Sequence, residues 1–217
     1  MGTINQDYIE KYIRGMLNEE DPFIVELEKY AAKENIPIIH KEVKQLLRVL
    51  IRSSNIKCIL EIGTAIGYSA IVFSHAMDNK GQVLTIEMNE NMIKHAKSNI
   101  VMAGLDENIS ILFGDANKVI YDITGTFDCI FLDGAKGHYI HLLEVCIKLL
   151  KPGGLIISDN VLFRGMIADD ALVRRRKITI VKRMRRYLNE ITNHPMLITS
   201  IIPIGDGLAL SYKKHEM

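Results

Sequence analysis

The sequence predicts an α/β fold: a seven-stranded, mostly parallel sheet with flanking helices, closed by an antiparallel C-terminal edge hairpin and preceded by N-terminal helices. Three observations carry this. From residue 57 onward, short apolar runs alternate with segments of helical period, the signature of a parallel sheet. Two runs, Cys129-Ile130-Phe131-Leu132 and Leu155-Ile156-Ile157, are continuously apolar, as expected of central strands covered on both faces. Finally, Pro203-Ile204-Gly205-Asp206-Gly207 joins two β-rich runs with hairpin chemistry.

The elements follow in order. Residues 6–17, 22–35 and 40–52 have the period of amphipathic helices. They read as a cap or oligomer contact (1–56) on an α/β core (57–213) within one domain spanning 1–217, because no Gly/Ser/Pro linker or internal repeat separates them. Strands are expected at Cys58–Ile62, Gln82–Glu87, Ile109–Phe113, 127–133 and 155–159, with helices near 67–78, 89–104, 116–121, 138–150 and 171–190. The hairpin strands are expected at 196–202 and 208–212.

At 217 residues and 48% apolar content the chain can bury one substantial core, and disordered or collagen-like classes are excluded. No apolar run approaches the roughly 18–20 residues of a membrane span. The N-terminal Met1-Gly2-Thr3-Ile4-Asn5-Gln6-Asp7 lacks a charged region followed by an apolar one, so a cytoplasmic protein is expected. Cys58, Cys129 and Cys146 lack metal-ligand spacing and read as small buried hydrophobes in a reducing compartment. The formal charge of +1 argues against a uniformly basic nucleic-acid binder.

The most informative segment is Leu60-Glu61-Ile62-Gly63-Thr64-Ala65-Ile66-Gly67-Tyr68-Ser69, a strand entering a glycine turn and then a helix. Such a turn lets backbone approach a ligand at the carboxyl end of the first strand. Glu87 ends the second strand 20 residues after Gly67, where a carboxylate can take both ribose hydroxyls of a nucleotide-like cofactor. Asp115 ends the third, suited to an adenine amino group. The spacing is G-x-x-x-G rather than G-x-G-x-x-G. Three clustered acids would repel a pyrophosphate and attract a cationic sulfonium. S-adenosylmethionine is therefore the inferred cofactor, with NAD the alternative.

The Leu60-to-Ser69 segment, Phe127-Asp128-x-x-Phe131-x-Asp133-x-x-Lys136-x-x-Tyr139, Lys151-Pro152-Gly153-Gly154, Ser158-Asp159-Asn160-Val161-Leu162 and Pro203-x-Gly205-Asp206-Gly207-Leu208 together resemble the cation-dependent class I O-methyltransferases, the catechol and caffeoyl-CoA type with a Rossmann-like fold. The resemblance implies that Ile39, Glu61, Gly63, Ser69, Glu87, Asp115, Ala116 and Asp133 contact S-adenosylmethionine. It further implies that Asp133, Asp159 and Asn160 ligate a divalent cation and that the protein is a homodimer.

Three hard oxygen ligands at two neighbouring strand ends suit Mg²⁺ or Mn²⁺. Such an ion holds an acceptor hydroxyl with a neighbouring oxygen, and Lys136 is the candidate proton acceptor beside it. His138 and His141, three apart, have no evident third ligand and read as helix surface.

For the acceptor, Arg174, Arg175, Arg176, Lys177, Lys182, Arg183, Arg185 and Arg186 put eight cations and no acid within thirteen residues. The rest of the chain keeps 19 basic against 26 acidic residues, a charge of −7. The near-neutral total conceals a basic stretch suited to gripping phosphates while a looped-out base reaches the site; Arg174, Arg175, Arg176 and Lys177 are the candidate RNA contacts. Val161-Leu162-Phe163-Arg164-Gly165, the basic stretch and the length resemble the bacterial tRNA 5-hydroxyuridine methyltransferases within this family. That resemblance implies tRNA as substrate, 5-hydroxyuridine at the wobble position as acceptor and 5-methoxyuridine as product. Two alternatives stand beside it: a small catechol or hydroxycinnamoyl-type phenol as acceptor, and a non-catalytic RNA- or nucleotide-binding protein.

Overall fold

The computed structural model describes residues 4–18, 21–134 and 136–215. Residues 1–3, part of the stretch read above for a leader, lie outside them. The chain forms two compact units, Tyr8–Ala116 and the segment Asn117–Met217 together with Met1–Asp7. Among the described residues there are seven strands.

The first unit contains α1 (Asp7–Met16), α2 (Pro22–Lys33), α3 (Lys41–Ser53), β1 (Cys58–Ile62), α4 (Tyr68–Ala76), β2 (Gln82–Glu87), α5 (Glu90–Met102) and β3 (Ile109–Phe113). Its strands match the predicted ranges and run parallel in the order β3-β2-β1. Local chemistry sets the helix starts. Asp21 accepts from Phe23 N–H at 2.9 Å with Pro22 at the first helical position, and Asn89 caps α5 through Asn91 N–H at 3.0 Å. Helix α1 is amphipathic in the unusual sense: its one fully buried residue is Glu10, while Tyr8, Tyr12 and Met16 stand in solvent. Charges hold it in place, Arg14 donating to both carboxylate oxygens of Glu42 (2.7 and 2.8 Å) and pairing with Glu10 at 3.1 Å.

The second unit carries most of the short α6 (Ala116–Val119), then β4 (Phe127–Leu132), α7 (Tyr139–Leu149), β5 (Leu150–Ser158), α8 (Ile178–Asn193), β6 (Leu197–Ile202) and β7 (Leu208–Lys213). The order is β4-β5-β7-β6, with β4 and β5 parallel and β7 antiparallel to both of its neighbours. The apolar strand β5 is thus paired on both sides, as its composition predicts, and β6 lies outermost.

Two boundaries differ from expectation. Strand β5 begins at Leu150, because Lys151-Pro152-Gly153-Gly154 passes through a register shift in which Phe127 pairs with Leu150 and Cys129 with Leu155. Helix α8 begins at Ile178 rather than 171; residues 170–172 and 175–177 are separate 3₁₀ turns. Four consecutive cations oppose the positive end of a helix dipole, and no side chain caps α8. The first half of the basic stretch is therefore a turn leading into the helix.

Cys129 and Cys146 are buried, and burial pushes each thiol up to about 12. Cys58 is half-buried at the start of β1. No helix among the described residues is long and apolar enough to cross a membrane.

Candidate active site

The turn after β1 is held from several directions. Gly63 (φ 93°) donates to Ile86 O at 2.9 Å, and Gly67 (φ 83°) donates to Thr64 O at 2.8 Å and opens α4. A Cβ on Gly67 would sit 3.4 Å from Ala96 of α5, so this glycine supplies both the left-handed backbone and a close helix approach. Asn99 of α5, itself buried, donates to Ile66 O at 2.8 Å.

Glu87 does more than the sequence suggests. Its Oε2 accepts from Ala65 N–H at 3.0 Å and its Oε1 from the N–H groups of Met88 and Asn89, each at 2.9 Å. The same carboxylate expected to take ribose hydroxyls also fixes the middle of the glycine turn.

Glu61 pairs in register with Thr85 on β2, whose hydroxyl donates to Oε2 at 2.6 Å. The side chain is fully buried, and that burial raises its pKa against the opposing pull of the Ser69, Thr85 and Thr64 hydroxyls. Among the described residues, Oε1 accepts no hydrogen bond. A buried carboxylate with acceptor capacity left over suits an ammonium-bearing ligand.

Ile39, Ser69 and Ala116 are buried in the same unit, and Asp115 is half-buried after β3. Met88 and Phe113 escaped the sequence reading; they are exposed large apolar side chains at the ends of β2 and β3, with Phe113 in register with Glu87. Their adjacency to the two strand-end acids was the available signal, since an adenine needs an apolar wall beside its polar contacts.

In the second unit, β4 and β5 end together. Leu132 pairs with Ser158, and Asp159 N–H continues the ladder to Leu132 O at 2.9 Å, which brings Asp133 and Asp159 to one end of the sheet. Asp159 is buried and accepts from Asn160 N–H at 2.6 Å. Asn160 takes φ 58°, a left-handed conformation that asparagine tolerates better than most residues. Tyr139, fully buried at the start of α7, donates to Leu132 O (2.9 Å) and Asp159 O (3.2 Å). Burial and then the charges of Asp133 and Asp159 push its phenol well above its ordinary range.

Lys136 begins a 3₁₀ turn, with Nζ 6.0 Å from the ring centroid of Phe163. Lys177 Nζ lies 5.8 Å from the same ring. His141 is exposed and His138 half-buried, their rings 5.8 Å apart; among the described residues no cluster of three or more His, Cys, Asp or Glu forms a metal site.

A family profile described as O-methyltransferase matches residues 16–214. The chain belongs to the O-methyltransferase family. Among curated relatives, a catechol O-methyltransferase of Niastella koreensis is 31% identical over 95% of this chain and 96% of its own length. A caffeoyl-CoA O-methyltransferase of Populus trichocarpa is 29% identical over 95% and 89%. Among solved structures, a Staphylococcus aureus protein provisionally described as a caffeoyl-CoA O-methyltransferase is 36% identical, covering 95% of this chain and 100% of its own, with a TM-score of 0.89. A Bacillus cereus O-methyltransferase solved with SAH is 27% identical, covering 95% and 97%, with a TM-score of 0.84. The fold is thus the Rossmann-like methyltransferase fold, and the enzyme uses S-adenosylmethionine.

Both S-adenosylmethionine and a divalent cation fit this methyltransferase's residues. The buried Glu61 oxygen without a hydrogen bond and the strand-end acids match a cationic amino acid joined to a nucleoside. Asp133, Asp159 and Asn160 are hard oxygen donors, and the two carboxylates both act on one buried hydroxyl, a concentration of negative charge that a divalent cation would balance. Of the candidate RNA contacts, Arg174, Arg175 and Arg176 are exposed and Lys177 is half-buried.

Proposed function

We propose that this O-methyltransferase is divalent-cation-dependent and methylates the 5-hydroxyl of 5-hydroxyuridine at the wobble position of tRNA, giving 5-methoxyuridine. The observation that carries the tRNA acceptor is the basic stretch 174–186, in which Arg174, Arg175, Arg176, Lys182 and Arg186 are exposed. A phosphate-bearing acceptor gives that solvated charge a purpose, and the acidic remainder of the chain restricts polyanion contact to it.

When bound, the cofactor supplies the methyl group on a sulfonium, and a Mg²⁺ or Mn²⁺ ion supplies Lewis-acid polarisation of the acceptor hydroxyl. Glu61 takes the amino-acid ammonium, Glu87 the ribose hydroxyls, and Asp115 the adenine amino group. Asp133, Asp159 and Asn160 hold the cation, with Tyr139 fixing the backbone on either side of the two acids. Lys136 Nζ accepts the proton that the hydroxyl loses. Phe163 offers the uracil ring a stacking face.

A second reading takes a small catechol or hydroxycinnamoyl-type phenol as acceptor. Its support is the naming of relatives that match nearly the whole chain. Both acceptors present adjacent oxygens to one cation, so the chemistry is shared. The homodimer belongs to the same proposal, supported by the solvent-facing Tyr8, Tyr12 and Met16 of α1. Sedimentation of Tyr12→Glu beside the wild type tests it.

Turnover on 5-hydroxyuridine tRNA and on catechol, with and without EDTA, separates the acceptors. Nucleoside mass analysis of tRNA from a strain lacking the gene should show 5-hydroxyuridine in place of 5-methoxyuridine. Unchanged 5-methoxyuridine, in a host without a second such enzyme, would reject the tRNA assignment.

A further inference from the structure

The eight cations of 174–186 do not all serve one purpose. Arg185 Nε donates to Ile167 O at 2.9 Å, one terminal nitrogen donates to Met166 O at 3.2 Å, and the other lies 2.7 Å from Asp170 Oδ1. All three contacts fall on the limb of chain that descends from the turn after β5. That turn has a costly backbone: Asn160 (φ 58°), Phe163 (φ 45°) and Arg164 (φ 57°) are left-handed without being glycine. Such conformations persist only where surroundings over-determine them.

On its rising side the turn is tied to the β6–β7 hairpin. Val161 N–H donates to Gly207 O (2.9 Å), Leu162 N–H to Asp206 O (3.0 Å), and Arg164 N–H to the Asp206 carboxylate. A Cβ on Gly207 would lie 2.4 Å from Leu162 Cγ, so that contact is already as close as backbone permits. On the descending side, Arg185 supplies side-chain ties from α8, beside the local bond from Ala171 N–H to the Asp169 carboxylate (2.8 Å). Arg183 similarly donates to Gly137 O (3.3 Å), next to Lys136.

We propose that Arg185 is a positioning residue, whose forked guanidinium clamps residues 166–170 and so keeps Asn160 and Phe163 in acceptor-binding geometry. A planar fork reaches two carbonyls and a carboxylate at once; a lysine of equal charge does not. The basic stretch is accordingly divided, with Arg183 and Arg185 turned to the protein's own backbone and Arg175, Arg176, Lys182 and Arg186 exposed to whatever anion the acceptor carries. The inference stands on the turn's attachments and holds for either acceptor.

The test compares Arg185→Lys with Arg52→Lys in the full chain, both conserving charge; Arg52 of α3 pairs with Asp78 at 2.8 Å and has no part in the proposed site. Hydrogen exchange by mass spectrometry should show the 161–170 peptide exchanging about tenfold faster or more in Arg185→Lys, as expected when a charged hydrogen-bond donor is lost. Peptides of β1, β2 and β3 should be unchanged, and Arg52→Lys should match the wild type at 161–170. On whichever acceptor the wild type turns over, Arg185→Lys should raise acceptor KM by about tenfold while leaving the dissociation constant for S-adenosylmethionine unmoved. Wild-type exchange at 161–170 in Arg185→Lys would overturn the proposal, even if neither acceptor is methylated. So would a wild-type acceptor KM. Should Arg185→Lys fail to fold, Asp170→Asn decides, because Asp170 is 85% exposed and loses only one contact: a local rise of two- to threefold supports the clamp, and none refutes it.

Discussion

The turns after β1 and after β5 solve opposite problems. The first takes positive φ at Gly63, Ala65 and Gly67, and two of the three are glycines for which that backbone is inexpensive. The second takes it at Asn160, Phe163, Arg164 and Gly165, where only one is glycine. The first is stabilised mostly by its own strand neighbours and by Glu87, a residue that also belongs to the cofactor reading. The second is held by side chains and backbone from a distant hairpin and from α8. On the proposed roles, a cofactor common to many enzymes falls to a turn of generic chemistry, and the acceptor to a turn whose shape has to be imposed.

The sharpest way to break this comparison is to remove a proposed cation ligand from the second turn. Asp159→Ala should lower methyl transfer by roughly 10³-fold, the scale of losing cation polarisation of the hydroxyl. Mn²⁺ binding read by electron paramagnetic resonance should be lost with it, while S-adenosylmethionine still binds. Retained Mn²⁺ affinity would place the cation elsewhere.

Glu61→Gln should raise the dissociation constant for S-adenosylmethionine by about 10- to 100-fold, the loss of a charge-assisted contact in a buried site. Its effect on stability runs the other way. Burial raises the Glu61 carboxyl above 4.5, so the folded chain favours the protonated form. That contribution is complete below the unfolded value and is lost as pH rises through the folded one. At neutral pH the cofactor-free Glu61→Gln protein should therefore melt higher than wild type, by about 2–4 °C for each kcal/mol recovered. A lower melting temperature would mean that Glu61 is satisfied within the protein.

How much was legible in the sequence follows the same division. β1, β2 and β3 matched residue for residue, because an apolar run bounded by glycine or an acid has sharp ends. Glu61, Glu87 and Asp115 lie within two residues of those ends for the same reason. The second unit was less legible. Pro152-Gly153-Gly154 looked like a boundary and is instead carried through β5 by a register shift. Apolar spacing predicts a helix near 171–190 where α8 spans Ile178–Asn193, since spacing does not register that four cations oppose a helix start. Arg185 looked like one more basic residue; which carbonyls it meets is set by packing alone.

If the exposed half of the basic stretch grips RNA, replacing Arg174, Arg175 and Arg176 with Gln should lower the salt slope of tRNA binding by about 2, at roughly 0.7 per lost phosphate contact on a single strand. Catechol turnover should not follow it. Filter binding over a range of salt concentrations reads the slope, and an unaltered slope would return these arginines to ordinary solvated surface.

The smallest expected effect tests whether the first turn is as self-sufficient as its glycines suggest. Asn99 is buried within α5, between Ala96 and Ile100 on the helix face that packs inward, and its amide is committed to Ile66 O. Replacing it with Leu keeps the volume and leaves that carbonyl without its donor, at a cost of about 1–3 kcal/mol. Because Ile66 lies between Ala65, held by Glu87, and Gly67, the slack should appear as a rise of about three- to tenfold in the dissociation constant for S-adenosylmethionine. Acceptor KM should stay put, since the hydrogen bonds described for the second turn run to the β6–β7 hairpin and to α8. Isothermal titration against acceptor kinetics separates the two, and a variant with weaker stability but wild-type cofactor affinity would show that Gly63, Gly67 and Glu87 hold the turn without help.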